Sequence, residues 1–222
     1  MAKSVLLKSS IAKKVAMALS GLFLIMFLSL HFFINMTSVF SADTFNEMSH
    51  FMGYNPLVQF IMQPILVAGV VFHFVMGFVL ELKNRSARPI GYAKYNGAAN
   101  ASWASRNMIV SGLVVLAFLV LHFYDFWFAE MMYKYVNVSP IEETRYFHEL
   151  NHKFGSPIRT GLYSVAFLLL SAHLWHGFNS SFQSVGFDNK YAKALHKLGY
   201  TFAIVVPFGF IFIALFHHFN QI

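Results

Sequence analysis

A neutral imidazole binds metals through one ring nitrogen and donates or accepts a hydrogen bond with the other. Inside a membrane such a side chain is costly, and it marks a working site more often than a structural one. This chain carries four histidines within long apolar runs, in two repeated settings. Ser20-Gly21-Leu22 through Phe27-Leu28 to Leu30-His31-Phe32 returns 91 residues later as Ser111-Gly112-Leu113 through Phe118-Leu119 to Leu121-His122-Phe123. His73-x-x-x-Gly77-Phe78 returns as His173-x-x-x-Gly177-Phe178. Paired settings suggest paired ligands.

The elements that must carry these residues are membrane helices. Of the 222 residues, 57% are hydrophobic and 11% charged, whereas a soluble domain is about 25% charged. The 16 Lys and Arg outnumber the 9 Asp and Glu. They cluster in short segments between apolar runs, so they read as topology signals and give no support for nucleic-acid binding. No cysteine is present. That excludes thiolate metal sites, an iron–sulfur cluster held by this chain and a covalently attached haem.

Apolar runs of bilayer-crossing length, about 20 residues, fall at 15–39, 57–82, 107–128, 159–182 and 198–219. The first follows Lys3, Lys8, Lys13 and Lys14 and is too long for a signal peptide, whose apolar core is about 7–15 residues. An uncleaved first helix is expected. The fold expected over 1–222 is one all-α integral membrane domain of five transmembrane helices, the first four an up-down-up-down bundle. The loops at 83–106 and 183–197 are basic, and the 40–56 loop holds Asp43 and Glu47 without Lys or Arg. Positive charge stays inside, which sets the N-terminus in the cytoplasm and the C-terminus outside. The mixed 129–157 loop has room for a short amphipathic helix around 141–151.

Direction fixes depth. His31 lies 17 positions after Lys14, and His122 lies 16 after Arg106. At 1.5 Å per residue both are about 24–26 Å from the inner charges, in the outer half. His73, ten positions before Lys83, and His173 lie about 15 Å from the inner end. His31 therefore pairs with His122, and His73 with His173. In the bundle each pair spans a diagonal. A flat macrocycle needing two opposed imidazoles fits such a pair, and haem is that ligand. Two would stack, offset by roughly 10 Å along the normal. Gly21, Gly112, Gly69, Gly77 and Gly177 leave room for a ring or for helix packing alone.

The other candidates carry simpler readings. His176 shares a face with His173 but lacks the His-x-x-x-Gly spacing. His217 and His218 are expected at the outer interface, and His50, His148, His152 and His196 in loops. Trp103, Tyr124, Trp127 and Tyr133 read as interfacial belts. By depth, Ser20, Trp103 and Arg106 are candidates for inner haem propionates and Arg159 for outer ones. Glu47 and His50 are titratable groups in the outer loop suited to a quinone site.

The order and setting of the four histidines resemble the diheme cytochrome b anchor of succinate:quinone oxidoreductases and fumarate reductases, of the type with five helices in one polypeptide. Leu30-His31, His73-x-x-x-Gly77, Leu121-His122, His173-x-x-x-Gly177 and Phe45-Asn46-x-x-x-His50-Phe51-Met52 carry the resemblance. It implies two b haems, held by His73/His173 (inner) and His31/His122 (outer), and a quinone site, with menaquinone as the expected substrate. It also implies a flavoprotein and an iron–sulfur protein on the cytoplasmic side of a bacterial inner membrane. Ser171 stands where some diheme fumarate reductases have a glutamate two residues before the fourth ligand, so no compensating proton pathway is expected. A donor of hydrogenase or formate dehydrogenase type stays open, as does a histidine-based metal or proton transporter. The transporter would normally use intramembrane carboxylates, which the span centres lack.

Overall fold

The computed structural model describes residues 9–86, 106–187 and 190–221, and among these every regular element is helical. Seven helices follow one another in the described residues. α1 is Ser10–Phe40, α2 is Ala42–Tyr54, α3 is Val58–Ser86 and α4 is Met108–Val136. α5 is Arg145–Gly155, α6 is Pro157–Ser184 and α7 is Ala192–Phe219.

Local chemistry sets the boundaries. Ser9 accepts from Ala12 N at the start of α1. Ser41 ends α1 in an extended conformation and caps α2 by accepting from Thr44 N at 3.1 Å. One serine thus makes the corner between two helices, and Asp43 in the first turn of α2 suits its positive N-terminal end. Ser156 and Pro157 start α6 as N-cap and first helical residue, the position where a missing N–H costs nothing. Pro64 removes the donor that the Phe60 carbonyl would use, and the turn before it widens to a π-turn at Val58–Met62.

Four helices (α1, α3, α4 and α7) are long and apolar enough to cross a membrane. α6 is as long as α7, 28 residues, but more polar, and it turns Thr160, Tyr163, Asn179 and Ser181 into the protein interior. α1 packs on α3 and α6, and α4 packs on α6 and more loosely on α3. α1 therefore faces α4 across one diagonal of the bundle, and α3 faces α6 across the other. α7 lies outside this ring against α6 and α1. The densest packing is at the end of the bundle that carries α2 and α5, where Phe45, Leu150, Phe154, Tyr163, Phe167 and Phe210 meet. α3 has no fully buried residue; its apolar surface faces outward, as lipid permits.

The helices depart from the expected segments in instructive ways. The 40–56 loop is mostly helix α2, and the expected amphipathic helix runs from Arg145 to Gly155, a turn later than 141–151. His50, His148, His152 and His196, expected in loops, are all helical. α5 and α2 cap one end of the bundle together: Asn46 Oδ1 accepts from Phe147 N at 2.8 Å. Below them Arg145 donates to Glu130 and, at 2.6 Å, to Glu149, while Tyr146 donates to Glu130 at 2.8 Å. Burial pulls the Arg145 guanidinium down, but Glu130 and Glu149 outweigh it and hold it above its ordinary value. Burial, then the Glu130 charge, pushes the Tyr146 phenol up.

The candidate functional site: two histidine pairs on two diagonals

His31 of α1 and His122 of α4 meet with ring centres 5.7 Å apart and planes at 82°. His73 of α3 and His173 of α6 meet at 6.4 Å and 70°. The pairs are those that depth selects, and each joins helices on a diagonal. A metal-bound imidazole nitrogen lies about 2 Å from its metal and the ring centre about 1 Å further back, so two imidazoles flanking one metal have centres roughly 6 Å apart. Both pairs have that spacing.

The repeat explains how the inner pair is held. Ser20 Oγ donates to the Met17 carbonyl at 2.7 Å and lies 3.0 Å from His73 Nδ1. Ser111 Oγ donates to the Met108 carbonyl at 3.0 Å and lies 3.3 Å from His173 Nδ1. A hydroxyl has one proton, and here the helix carbonyl takes it. The ring must then be the donor at Nδ1, which leaves the Nε2 lone pair free. That is the tautomer of a metal ligand steadied by its other nitrogen. The adjacent glycines complete the seat. A Cβ on Gly21 would stand 3.4 Å from His73 Cε1, and one on Gly112 would stand 3.5 Å from His173 Cε1. Each copy of the repeat thus does two things: its Ser-Gly end seats the inner histidine of the next bundle helix, and its Leu-His end supplies an outer histidine.

The outer pair is held differently. Phe27 stacks on His31 at 5.5 Å and 17°, and Phe118 stacks on His122 at 5.7 Å and 29°. Phe210 and Phe126 close the sides. Asn35 Nδ2, one turn above His31, donates to the His31 carbonyl at 2.8 Å and reaches the ring nitrogens only at 3.4 and 3.5 Å. His122 Nδ1 is buried without a hydrogen-bond partner, a costly state for a polar atom.

Residues that sequence reasoning passed over gather just beyond this pair. Asp125, three positions after His122, is fully buried and ion-paired to Arg159, accepts from Tyr163 Oη at 2.9 Å and lies 3.7 Å from Lys153 Nζ. The Tyr163 ring is 6.3 Å from His122. Helical spacing from His122 was the available signal: a step of three keeps Asp125 on the same face. Ser111 was visible as part of the repeat, but its role was not. His217 is a correction. Expected at the interface, it is fully buried under Phe147 of α5. Its Nε2 lies 2.9 Å from Ser38 Oγ, whose proton goes to the Asn35 carbonyl at 2.6 Å.

The remaining candidates scatter. Ser20 sits against His73, as above. Arg159, placed by depth near outer propionates, engages Asp125. Arg106 lies exposed just before α4, and Trp103 falls outside the described residues. Glu47 is exposed on α2. His50 stacks on Tyr54 at 4.4 Å with its Nε2 buried and unpartnered. Neither Glu47 nor His50 hydrogen-bonds or stacks with His31 or His122. Comparison with protein-family models, curated proteins and solved structures returns no match.

Proposed function

We propose that this chain is a diheme cytochrome b membrane anchor of the succinate:quinone oxidoreductase and fumarate reductase kind. It would pass electrons between a cytoplasmic flavoprotein and iron–sulfur pair and a membrane quinone, with menaquinone the expected species. α6 counts as the fifth span in this reading, because its polar residues turn into the bundle and leave an apolar outer surface. The N-terminus is then cytoplasmic and the C-terminus outside, in a bacterial inner membrane.

One observation carries the proposal: four histidines of the helical bundle meet as two diagonal pairs, each at the spacing of two ligands on one metal. The described residues hold no group of three or more His, Asp or Glu placed to bind a metal ion. A two-imidazole site suits a metal whose other positions are filled by something besides protein, which a porphyrin does and a bare zinc site does not. The haems would supply reversible one-electron transfer when bound. Ser20 and Ser111 would fix the ligating tautomer of His73 and His173. The phenylalanines around His31 and His122 would exclude water from the outer site. Without cysteine the chain holds no iron–sulfur cluster, and in this reading both the clusters and the dicarboxylate chemistry belong to the partners.

The test is the reduced-minus-oxidised absorption spectrum of the purified chain. A b-type bis-histidine spectrum with two reduction steps is expected. Absence of haem bands would overturn the proposal.

A further inference from the structure

Asp125 is the buried residue of the π-turn Phe123–Phe128, which follows His122 directly on α4. Turns of this kind are rare and gather at functional sites. A carboxylate sealed inside a membrane-length helix is costly unless it is paired. Here Arg159 of α6 ion-pairs with Oδ1, Lys153 of α5 stands 3.7 Å from the same oxygen, and Tyr163 of α6 donates to Oδ2 at 2.9 Å. The carboxylate has no exposed surface, whereas the Lys153 and Arg159 side chains keep 31% and 30% of theirs. Water therefore screens the two cations more than the anion. On its buried side the cluster presents negative charge.

That side adjoins the His31–His122 pair. The rings packed on the two imidazoles are Phe27, Phe118, Phe123, Phe126, Phe210 and Tyr163. None is charged. Tyr163 is the one that leads out of this apolar shell: its ring centre is 6.3 Å from His122, and its hydroxyl ends on Asp125. His122 Nδ1 is buried without a hydrogen-bond partner. A neutral ring that ligates a metal through Nε2 carries its proton on Nδ1. At His73 and His173 a serine oxygen faces that nitrogen. At His122 the compensation has to act through space, and Asp125 supplies it from three positions along the same helix face.

We propose that Asp125 is a positioning residue for the His31–His122 site, and that its buried carboxylate lowers the reduction potential of the haem held there. A buried negative charge favours the more positive, oxidised centre, so an electron on that haem is released more readily to an acceptor. Asp125 itself exchanges neither electron nor proton in this role. The inference rests on the diheme reading for the presence of the metal centre, and on the ion cluster for the sign of the effect.

The test is a spectroscopic redox titration of the purified full chain, with His31→Tyr used to assign the step that belongs to the His31–His122 site. Asp125→Asn keeps the size of the side chain and removes its charge. It should shift that reduction equilibrium about tenfold toward the reduced form, about 59 mV upward for one electron, and leave the His73–His173 step in place. Lys153→Gln removes a cation from the exposed side, so its shift should be smaller and downward. A merely structural role for the cluster would not give opposite signs. An unmoved step in Asp125→Asn, movement in the same direction in both variants, or equal movement of both steps would each overturn the inference. If Asp125→Asn sheds the haem at that site, Lys153→Gln decides alone: a downward shift supports the role and its absence overturns it. Two reduction steps that ignore both variants would leave the diheme reading standing without this role. Absence of haem bands in the wild type would remove the reading and the role together.

Discussion

The inner and outer histidine pairs share a spacing and differ in how they are held. His73 and His173 each hydrogen-bond through Nδ1 to a serine hydroxyl one helix away, and a glycine lets the ring lie against that helix. His31 and His122 have no such serine and are wedged among phenylalanines. Hydrogen bonding fixes a tautomer and raises the basicity of the free nitrogen. Ring packing fixes position and excludes water but leaves the protonation pattern open. The His73–His173 pair is thus held by polar atoms, and the His31–His122 pair by shape and by the ion cluster just beyond it.

The comparison can be broken at its polar supports. The largest effect is expected at Asp125. Asp125→Ala leaves the Arg159 guanidinium and Tyr163 hydroxyl without their shared partner, and removing one member of a buried pair costs about 3–5 kcal/mol. Thermal unfolding in detergent should show a large fall in midpoint, while Glu47→Ala, at an exposed position, should leave it within error. An unchanged midpoint for Asp125→Ala would mean that the outer site does not depend on this cluster.

Phe118→Ala should come next, at about 3 kcal/mol. It removes the ring that stacks on His122 and touches Tyr163 and Phe167. Haem content should then fall by up to one per chain, from the outer site. Equal loss from both sites would show that the two are not separately supported.

Ser20→Ala and Ser111→Ala sharpen the contrast further. Each should cost only about 1 kcal/mol of stability, yet weaken haem retention at the inner site about tenfold. Less basic ligands favour the reduced metal, so a redox titration should show the inner midpoint rise and the outer one stay. Movement of the outer midpoint alone would reverse the assignment.

A smaller, pH-dependent effect belongs to the outer cap. The Tyr146 phenol has a folded-state pKa raised above the ordinary value near 10. Its contribution is full below about pH 10 and declines as pH rises from there toward the folded value. Stability measured from pH 8 to 11 should therefore be flat at first and then fall, and Tyr146→Phe should flatten the fall. A fall already present between pH 8 and 9 would contradict this origin.

Much of the frame was legible because helix geometry is one-dimensional. A rise of 1.5 Å per residue was enough to match His31 with His122 and His73 with His173. Rotation between neighbouring helices is not written along the chain, so the serine seats stayed hidden although Ser20 and Ser111 stood in plain repeat. Asp125 was missed because a carboxylate near the end of an apolar run reads as interfacial; its burial depends on Arg159 and Lys153 from another part of the chain. His217 was misread for a related reason. At the end of a span it looked exposed, but α5 folds back over it through Phe147. The 13-residue α2 was hidden by its polar residues, which suit a short helix capped at both ends but not a span.

The most direct measurement is the reduced-minus-oxidised spectrum and redox titration of purified His31→Tyr beside the wild-type chain. The proposed pairing gives two b-type reduction steps in wild type and, in the variant, loss of the outer step with the inner step in place. Loss of the inner step alone would contradict the pairing of His31 with His122, and no haem bands in the wild type would contradict the cytochrome reading altogether.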